Sequence, residues 1–561
     1  MMLAMSKPTW TPPGTSRRGF LRGTSIAAGV GLAWPRLARA DPPGAREVAP
    51  VRAPASGDLG LLSGSPLLAD EALAQQALAA ASKAGATYAD VRLVAWRRER
   101  VGVRDDHISG VRRSSEYGLG VRVIADGAWG FAATPRLDAK AVEDAAKRAV
   151  AAAKIDARLV REPVALAPVA AILGSWVSPH RVDPFTITPK DKADLLIAAS
   201  QAALAVAGVG FSSASVDVQR EEKLFLSSEG ARIHQLMFRI LPSLSATAVD
   251  RRRGEFASRN HEIAPMLAGW EHVEDAKLVD DAAQIGEDAV RKLHAAPVEP
   301  GERTVILDPS NLWLTIHESI GHPTELDRAL GLEANFAGTS FIDPSKTGEL
   351  RIGNEKIDFV ADRTQPGGLA TCAWDDDGVG TERWSLIEDG VLVDWQTTRD
   401  QAAWNPSKKA DKDGHGCSYA DSYASVAFQR MPNISLQPGP EGYTTEDLIN
   451  ATDDGILVSG RGSWSIDHQR YNFQFSGQYF WEIKNGRLTR PLRDVAYQAN
   501  TVDFWNSCDM LGGEGSYRLG GSFGDGKGEP GQINAVSHGC PPARFRVNVV
   551  STAGNSGKGK A

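Results

Sequence analysis

The stretch from Gly118 to Thr134, GLGVRVIADGAWGFAAT, is the sequence feature that most constrains the fold of this chain. Apolar residues alternate with polar or small ones around Asp126-Gly127, a dipeptide typical of a two-residue hairpin turn. The same period-two alternation occurs in YADVRLVAWRRERVGVRDD and in VDVQREEKLFLSSEGARIHQLMFRILPSLSATAV. Together these segments predict a largely antiparallel sheet.

Helices are expected to pack on that sheet. Three segments carry apolar residues at helical spacing: PLLADEALAQQALAAASKAGA, DAKAVEDAAKRAVAAAK and TPKDKADLLIAASQAALAVAG. The first should end near Gly85, and the third should begin with Thr188 as its cap and Pro189 at its first position. A further helix is expected near residues 281–295. This order of elements predicts an α+β first domain.

The length of 561 residues exceeds what one hydrophobic core usually supports, so two domains are expected. The boundary falls in AAPVEPGERTVILDPS, after which strands and glycine-rich turns dominate. We predict a signal peptide over residues 1–40, a linker over 41–62, an N-terminal α+β domain over 63–298, a C-terminal β-rich domain over 299–550 and a polar tail over 551–561.

The amino terminus has the pattern of a twin-arginine secretion signal. Arg17 and Arg18 precede a weakly apolar run, and a small-x-small cleavage pattern follows at residues 38–40. The apolar run is too short to span a bilayer, and no later run is long enough. We therefore expect an exported protein, periplasmic or otherwise extracytoplasmic, without a stable membrane anchor.

Charge and cysteine content narrow the possible partners. A formal net charge of −7, without a basic tract, argues against nucleic-acid binding. The four cysteines, Cys372, Cys417, Cys508 and Cys540, allow two interpretations. They could form two disulfides in an oxidising compartment, or one could bind a metal as a thiolate.

The segment LTIHESIGHPTELD contains two histidines and a glutamate close together, a combination that can bind a metal ion. It follows a short strand and sits on a helix for which Asp308 is the expected cap. His317 and His322 are five residues apart, which puts them about 140° apart on a regular α-helix. A π-type turn would bring both onto one face, and we expect Gly321, through unusual backbone angles, and Pro323 to favour it.

Two interpretations of this segment remain open from the residues alone. In the first, both imidazoles bind zinc and Glu318 is the general base that takes a proton from the attacking water. Glu325 or Asp327 would then accept a hydrogen bond from one of the ligand imidazoles. In the second, the segment is a helix end that carries partly exposed polar residues.

Several blocks of this sequence, in order, resemble the TldD/PmbA family of metallopeptidases. HESIGH with TELD and GTSF is similar to the His-Glu-x-x-x-His region of its catalytic TldD-type branch, and YADVRL with GLGVRVIADGAWGFAAT to its first domain. DDDGVGTERWSLIEDGVLVDW, QRMPNISLQPG and GQYFWEIKNGRLTRPLRD resemble its second domain. The resemblance implies a two-domain fold, zinc-dependent cleavage of small or unfolded peptides, and a homodimer or a heterodimer with a related PmbA-type subunit.

One departure from the family concerns the third zinc ligand. The resemblance implies a cysteine directly before a Gly-Lys-x-Gly-Gln-like stretch, but here GGSFGDGKGEPGQ has Ser522 and Phe523 where we expect it. Cys540 is therefore the first choice for the third ligand, His538 is the alternative, and Cys508 is less favoured. If this ligand is lost, the chain would instead be a non-catalytic peptide-binding or assembly subunit.

Two other polar segments resemble binding sites less closely. The three consecutive acids Asp375 to Asp377 suggest calcium, but a solvated turn is the favoured interpretation. DKDGHGC, with His415 and Cys417, is interpreted as a polar surface loop, because two ligands one residue apart do not make a site by themselves.

Overall fold

The computed structural model describes residues 55–407 and 414–553. The predicted signal peptide and the linker up to residue 54 lie outside these residues, as do residues 411–413 of the DKDGHGC segment and the end of the polar tail. No helix within the described ranges is long and apolar enough to cross a bilayer. The domain boundaries, including the one at residue 298, stay a prediction.

The first sheet is built from the segments that alternate in the sequence. Its strands are β1 (Tyr88–Arg104), β2 (His107–Ala125), β3 (Ala128–Thr134), β4 (Leu173–Val177), β5 (Val209–Ser227), β6 (Arg232–Asp250) and β7 (Glu255–Asn260). The order is β3-β2-β1-β5-β6-β4, with β7 also paired to β6. Only β4 pairs in parallel, with β6, so the prediction of a largely antiparallel sheet is confirmed.

The turn between β2 and β3 has the backbone that its sequence predicts. Asp126 and Gly127 have φ angles of 52° and 80°, the positive values that a type I′ turn requires at both central positions. Ala125 pairs directly with Ala128 across this turn. The hairpin prediction is therefore confirmed.

Helices cover one face of this sheet. They are α1 (Pro66–Ala69), α2 (Glu71–Ala84), α3 (Ala139–Asp156), α4 (Pro189–Leu204), α5 (Glu271–Asp275) and α6 (Leu278–Leu293). Val91 and Leu93 of β1 pack against small residues of α2 and α3. Arg92 and Trp96, on the opposite face of β1, instead donate to the carbonyls of Ser425 and Asp421. That polar face therefore packs against the second half of the chain.

Two helix ends match their predicted signals. Gly85 ends α2 in the left-handed region at φ 105°, and the Thr188 hydroxyl accepts from the Asp191 N–H at the start of α4.

The described part of the predicted linker packs against the first sheet. Leu59–Leu62 form a short 3₁₀ turn, and Leu62 lies buried against Val177 of β4.

The second half of the chain is rich in strands. They are β8 (Ala296–Pro297), β9 (Gly301–Leu307), β10 (Phe359–Asp362), β11 (Arg383–Glu388), β12 (Val391–Leu392), β13 (Ser418–Tyr419), β14 (Phe428–Gln429), β15 (Asn433–Leu436), β16 (Asp454–Ile466), β17 (Asn472–Lys484), β18 (Arg487–Arg493), β19 (Val495–Asn500), β20 (Met510–Leu511), β21 (Arg518–Lys527), β22 (Gln532–Cys540) and β23 (Ala543–Ser551). Its α-helices are α7 (Pro309–Ile316), α8 (Leu326–Ala329), α9 (Thr445–Asn450) and α10 (Thr501–Asn506). The fold as a whole is α+β, as predicted.

A closed ring of strands supports the helix that carries the motif. The ladders run β16-β9-β23-β19-β17, and β17 pairs back onto β16. The Phe475, Tyr497 and Phe545 side chains belong to the buried core of this half. Helix α7 follows β9 directly, and the hairpin of β21 and β22 packs beside it.

Candidate metal centre

The backbone around the two motif histidines departs from a regular α-helix. Helix α7 begins at Pro309, with the Asp308 carboxylate accepting from the Ser310 N–H, and gives way to a π turn over His317–Gly321. The His322 N–H donates to the carbonyl of His317, five residues earlier. This hydrogen bond absorbs the extra residue of the motif, so the prediction of a π turn is confirmed.

Gly321 does not have the backbone angles that we expected of it. Its φ of −56° and ψ of −64° are ordinary right-handed values, so the expectation of unusual backbone angles is wrong. A Cβ at this position would lie 2.6 Å from Sδ of Met431 and 2.9 Å from its Cε. The absence of a Cβ at Gly321 therefore leaves room for the tip of the Met431 side chain. Pro323 lies in the 3₁₀ turn that follows, His322–Thr324.

The π turn brings the two imidazoles together with a third buried side chain, Asp525. The ring centroids of His317 and His322 are 4.6 Å apart. Oδ1 of Asp525 lies 3.6 Å from Nε2 of His317 and 3.7 Å from Nε2 of His322. Tetrahedral zinc with bonds of about 2.0–2.1 Å places neighbouring ligand atoms about 3.3 Å apart. Two imidazole nitrogens and one carboxylate oxygen are ligand atoms that zinc accepts, and the two oxygen–nitrogen distances lie within about 0.4 Å of that spacing.

The remaining polar atoms of Asp525 are held by Arg430. The Arg430 guanidinium donates to the Asp525 backbone carbonyl and, at 3.3 Å, to Oδ2. Oδ1 is thus the oxygen that faces the histidines. Burial would raise the pKa of Asp525, but the hydrogen bond and charge of His317 hold that pKa below its usual range. The carboxylate is therefore ionised, as metal binding requires.

Hydrogen bonds fix which nitrogen of each imidazole is free. Nδ1 of His538 lies 3.0 Å from the Ile434 carbonyl, which can only accept, so Nε2 of His538 is an acceptor. That Nε2 is 2.8 Å from Nδ1 of His317, which must carry the proton. Nδ1 of His322 lies 2.9 Å from the Glu325 carboxylate. Both histidines therefore present an unprotonated Nε2 to Asp525 when neutral.

The pKa values of the two histidines diverge because their neighbours differ. Burial acts to lower the pKa of His317, but the hydrogen bond and charge of Asp525 outweigh it, so that pKa is raised. Burial lowers the pKa of His322 to about 4, with contributions from the nearby guanidinium groups of Arg470 and Arg328. A proton on the His317–Asp525 pair therefore competes with a metal ion for this place.

Glu325 is the residue that orients His322, as the sequence predicts for Glu325 or Asp327. Its carboxylate also accepts from Lys527, at 3.1 Å, and from Arg328, at 3.0 Å. Burial opposes ionisation, but these two cations hold the pKa of Glu325 well below its usual range. Lys527 follows Asp525 by two residues, so the same network ties β21 to the end of the motif helix.

Glu318, the expected base, is buried beside the histidines. One ligand atom each from His317, Glu318 and His322 lie within 4.8 Å of one another. The Glu318 carboxylate accepts a close hydrogen bond from the Arg470 guanidinium. A cavity of about 1100 Å³ is lined by Arg461 and by Trp313, which lies one helical turn before His317, and the side chains of the centre do not line it.

The structure does not bring Cys540 to the histidines. Its buried sulfur lies 3.9 Å from the Pro309 carbonyl, at the start of α7, about 12 Å of helix rise from His317. Burial raises the pKa of the Cys540 thiol well above its usual value. The Cys508 sulfur contacts the Met510 carbonyl instead. His538 contacts the centre, but through a hydrogen bond to His317. All four cysteines are unpaired and buried.

Asp525 was not among the predicted ligands, although the sequence contains a signal for it. Asp525 directly precedes Gly526-Lys527, the position at which the family resemblance implies the third ligand, whereas we placed that position at Ser522 and Phe523. The pairing of β21 with β22 shifts register between Ser522 and Asp525. Ser522 and Phe523, at this irregularity, are partly exposed, whereas Asp525, directly after it, is buried.

Comparison with known proteins identifies the family. Three models match in order: PmbA/TldA metallopeptidase domain 1 at residues 89–153, the central domain at 182–296 and the C-terminal domain at 300–551. The chain belongs to the PmbA/TldD family of metallopeptidases.

Individual relatives agree with this assignment. The chain is 27% identical to a metalloprotease of Methanothermobacter thermautotrophicus over 82% of its own length and 95% of that protein. It is 24% identical to a zinc metalloprotease TldD homolog of Saccharolobus solfataricus, over 83% and 97% of the two chains. The crystal structure of TldE from Thermococcus kodakarensis shares the fold, with a TM-score of 0.61 at 18% identity, covering 85% of this chain and 100% of that one.

Proposed function

We propose that this chain is a zinc-dependent peptidase that hydrolyses small or unfolded peptides. The ligands are His317, His322 and Asp525, and Glu318 is the general base. The observation that carries the proposal is the convergence of one carboxylate oxygen and two imidazole nitrogens at 3.6 and 3.7 Å. Three protein ligands leave a fourth position open, as in catalytic zinc sites.

Each side chain of the proposed centre has a separate role in hydrolysis. When bound, zinc polarises the peptide carbonyl and makes water more acidic. Glu318 takes a proton from the attacking water and passes it to the leaving amine. Glu325 and His538 hold the two ligand imidazoles in orientation. The cavity lined by Trp313, one helical turn before His317, is large enough for a short peptide.

Substitution of the base tests this assignment. Glu318→Gln should retain stoichiometric zinc and lose cleavage of an unstructured peptide by at least about a hundredfold, because the amide cannot accept the proton. The control is Glu355→Gln, which alters an exposed carboxylate. Undiminished turnover by Glu318→Gln would refute the role of the base. Metal content is measured by elemental analysis and cleavage by mass spectrometry.

The alternative, a non-catalytic peptide-binding or assembly subunit, rests on the loss of the third ligand. Asp525 supplies a donor in that place, which favours the catalytic assignment. A purified chain that neither holds zinc nor gains activity when zinc is added would favour the alternative.

The compartment and the partner are also proposals. The Arg17-Arg18 signal supports export by the twin-arginine route to the periplasm or another extracytoplasmic compartment. Similarity to TldE and to PmbA-type domains supports dimerisation, either with a second copy or with a related subunit.

A further inference from the structure

Arg363 is a buried cation without a close anionic partner. It follows β10 directly, and only 4% of its surface is exposed. Within residues 55–407 and 414–553, no carboxylate oxygen lies within 4.0 Å of its guanidinium. All other buried arginines and lysines of these ranges have such a partner: Arg92, Arg122, Lys192, Lys223, Arg239, Arg259, Arg328, Arg399, Arg430 and Lys527. A guanidinium does not lose its proton in a protein, so an unpaired one in the interior is costly.

The contacts that the Arg363 side chain does make are weak. Its Nη2 donates to Sγ of Cys372 at 3.2 Å, and its Nε has no hydrogen-bond partner among the described residues. A thiol sulfur is a weak acceptor. Burial raises the pKa of the Cys372 thiol, although Arg363 acts in the opposite direction, so the thiol is neutral near pH 7. Cys372 therefore does not supply the missing negative charge.

A small cavity lies beside Arg363, where the first sheet meets the second half of the chain. Its volume is about 10 Å³, and its wall includes Arg363, Arg239 of β6 and Ser418 of β13. This is roughly the space that one water molecule needs. A phosphate, sulfate or carboxylate group is too large for it, so an anion that binds here must be monatomic.

Two further donors line this cavity. Arg239 donates through Nη1 to Glu221, but its Nη2 donates to the thioether sulfur of Met237, at 3.4 Å, which is also a weak acceptor. The buried hydroxyl of Ser418 has no hydrogen-bond partner in the part of the chain that the structure describes. Together with Nε of Arg363, these groups offer hydrogen bonds from three side chains around one small space.

The two acids on the cavity wall do not balance the charge of Arg363. The Asp376 carboxylate accepts from Lys223, at 2.8 Å, and from the Ala420 N–H, at 2.7 Å. The Asp375 carboxylate accepts from three backbone N–H groups, at 2.9 to 3.0 Å. The charge of Asp375 also acts on Arg363 over a longer distance. Burial, together with a neighbouring carboxylate, raises the pKa of Asp375 to about 7, so this acid is only partly ionised near neutral pH.

We propose that the small cavity binds one chloride ion, held by Arg363, Arg239 and Ser418. The single negative charge of chloride balances Arg363, whereas a water molecule would satisfy the donors and leave the charge unpaired. Chloride is somewhat larger than water, and the contacts that give way to it are the weak ones to sulfur. The ion joins β6 of the first sheet to β13 and to the end of β10, and this role is independent of the proposed peptidase activity.

The dependence of stability on chloride is the first test. The full chain is unfolded with urea in mixtures of sodium chloride and sodium gluconate at constant ionic strength, because gluconate is too large for the cavity. If folding takes up one ion, the ratio of folded to unfolded protein rises about tenfold for each tenfold rise in chloride above the dissociation constant. We expect this dependence between about 1 and 300 mM chloride. A ratio that does not change with chloride would overturn the proposal.

Substitution of Arg363 shows whether the effect belongs to this cavity. Arg363→Met removes the unpaired charge and should abolish the dependence on chloride. The control is Arg487→Met, at an exposed arginine at the start of β18, which should keep the full dependence. A dependence as strong in Arg363→Met as in the wild type would contradict the proposal.

A second pair of variants serves even if Arg363→Met does not fold. Cys372→Asp places a carboxylate against Nη2 of Arg363, and this anion should take the place of chloride, so that stability no longer depends on the ion. Cys372→Ser is the neutral control of similar size and should keep the dependence. Full dependence in Cys372→Asp would count against the site.

Bromide locates the ion directly in a crystal. Bromide has the same charge as chloride and a similar size, and it scatters X-rays anomalously at its absorption edge. In crystals of the full chain grown with sodium bromide, we expect an anomalous peak in contact with Arg363, Arg239 and Ser418. An ordered water molecule in the cavity, without anomalous signal, would refute the site.

Discussion

At the scale of single residues, the proposed role of Asp525 as a zinc ligand can be tested by substitution. Asp525→Asn should bind zinc at least about tenfold more weakly, because a neutral amide replaces the anionic ligand that faces both histidines. Asp525→Cys should retain zinc, since a thiolate is also a zinc ligand, but with an increased preference for cadmium, which is softer. Zinc and cadmium affinities from competition with a chelator measure both effects.

A neighbouring variant controls for disruption of β21. Ser522→Ala changes a partly exposed hydroxyl that accepts from the Gly524 N–H and should leave the zinc affinity unchanged. Full zinc affinity in Asp525→Asn would contradict the role of Asp525 as a ligand. The same assay on Cys540→Ser tests the ligand first favoured from the sequence, which should have no effect.

At the scale of elements, the sequence predicts the π turn better than it predicts what surrounds the turn. The five-residue spacing of His317 and His322 already requires a departure from the α-helix. The contact between Gly321 and Met431 joins residues 110 positions apart in the sequence. Patterns within a short stretch of sequence cannot reveal such a contact. For that reason Gly321 was expected to act through its backbone angles.

The contact between Gly321 and Met431 can be tested by a pair of substitutions. Gly321→Ala should lower the free energy of unfolding by about 1–3 kcal/mol, because its Cβ overlaps the Met431 side chain. Met431→Ala alone should cost about 2–5 kcal/mol through the cavity that it leaves. In the double variant the new methyl group occupies part of that cavity, so the total cost should be smaller than the sum. Additive costs, measured by urea unfolding, would contradict a direct contact.

At the scale of the whole molecule, packing between distant segments reverses two expectations from the sequence. Asp375 to Asp377 were expected in a solvated turn, but all three are buried. Arg122 of β2 donates to Asp377, and Lys223 of β5 donates to Asp376 at 2.8 Å. These partners lie on the polar face of the first sheet. The alternation in the strands identifies that face as polar without indicating what covers it.

His415 is the second reversal, since it was expected in a surface loop but is buried between Asp394 and Glu382 and stacked on Trp384. Burial acts to lower the pKa of His415, but the two carboxylates outweigh it and raise the pKa from 6.5 to about 9. Its charged form therefore stabilises the folded state. That contribution is complete below about pH 6.5, and it is lost as the pH rises through about 9.

This linkage predicts how the stability of the whole protein changes with pH. The free energy of unfolding of the wild type should exceed that of His415→Gln by up to about 3 kcal/mol near pH 6, and most of this difference should disappear near pH 10. Urea unfolding of both proteins across that range gives the difference, in which groups common to both cancel. A difference that stays constant with pH would mean that His415 is neutral in the folded protein.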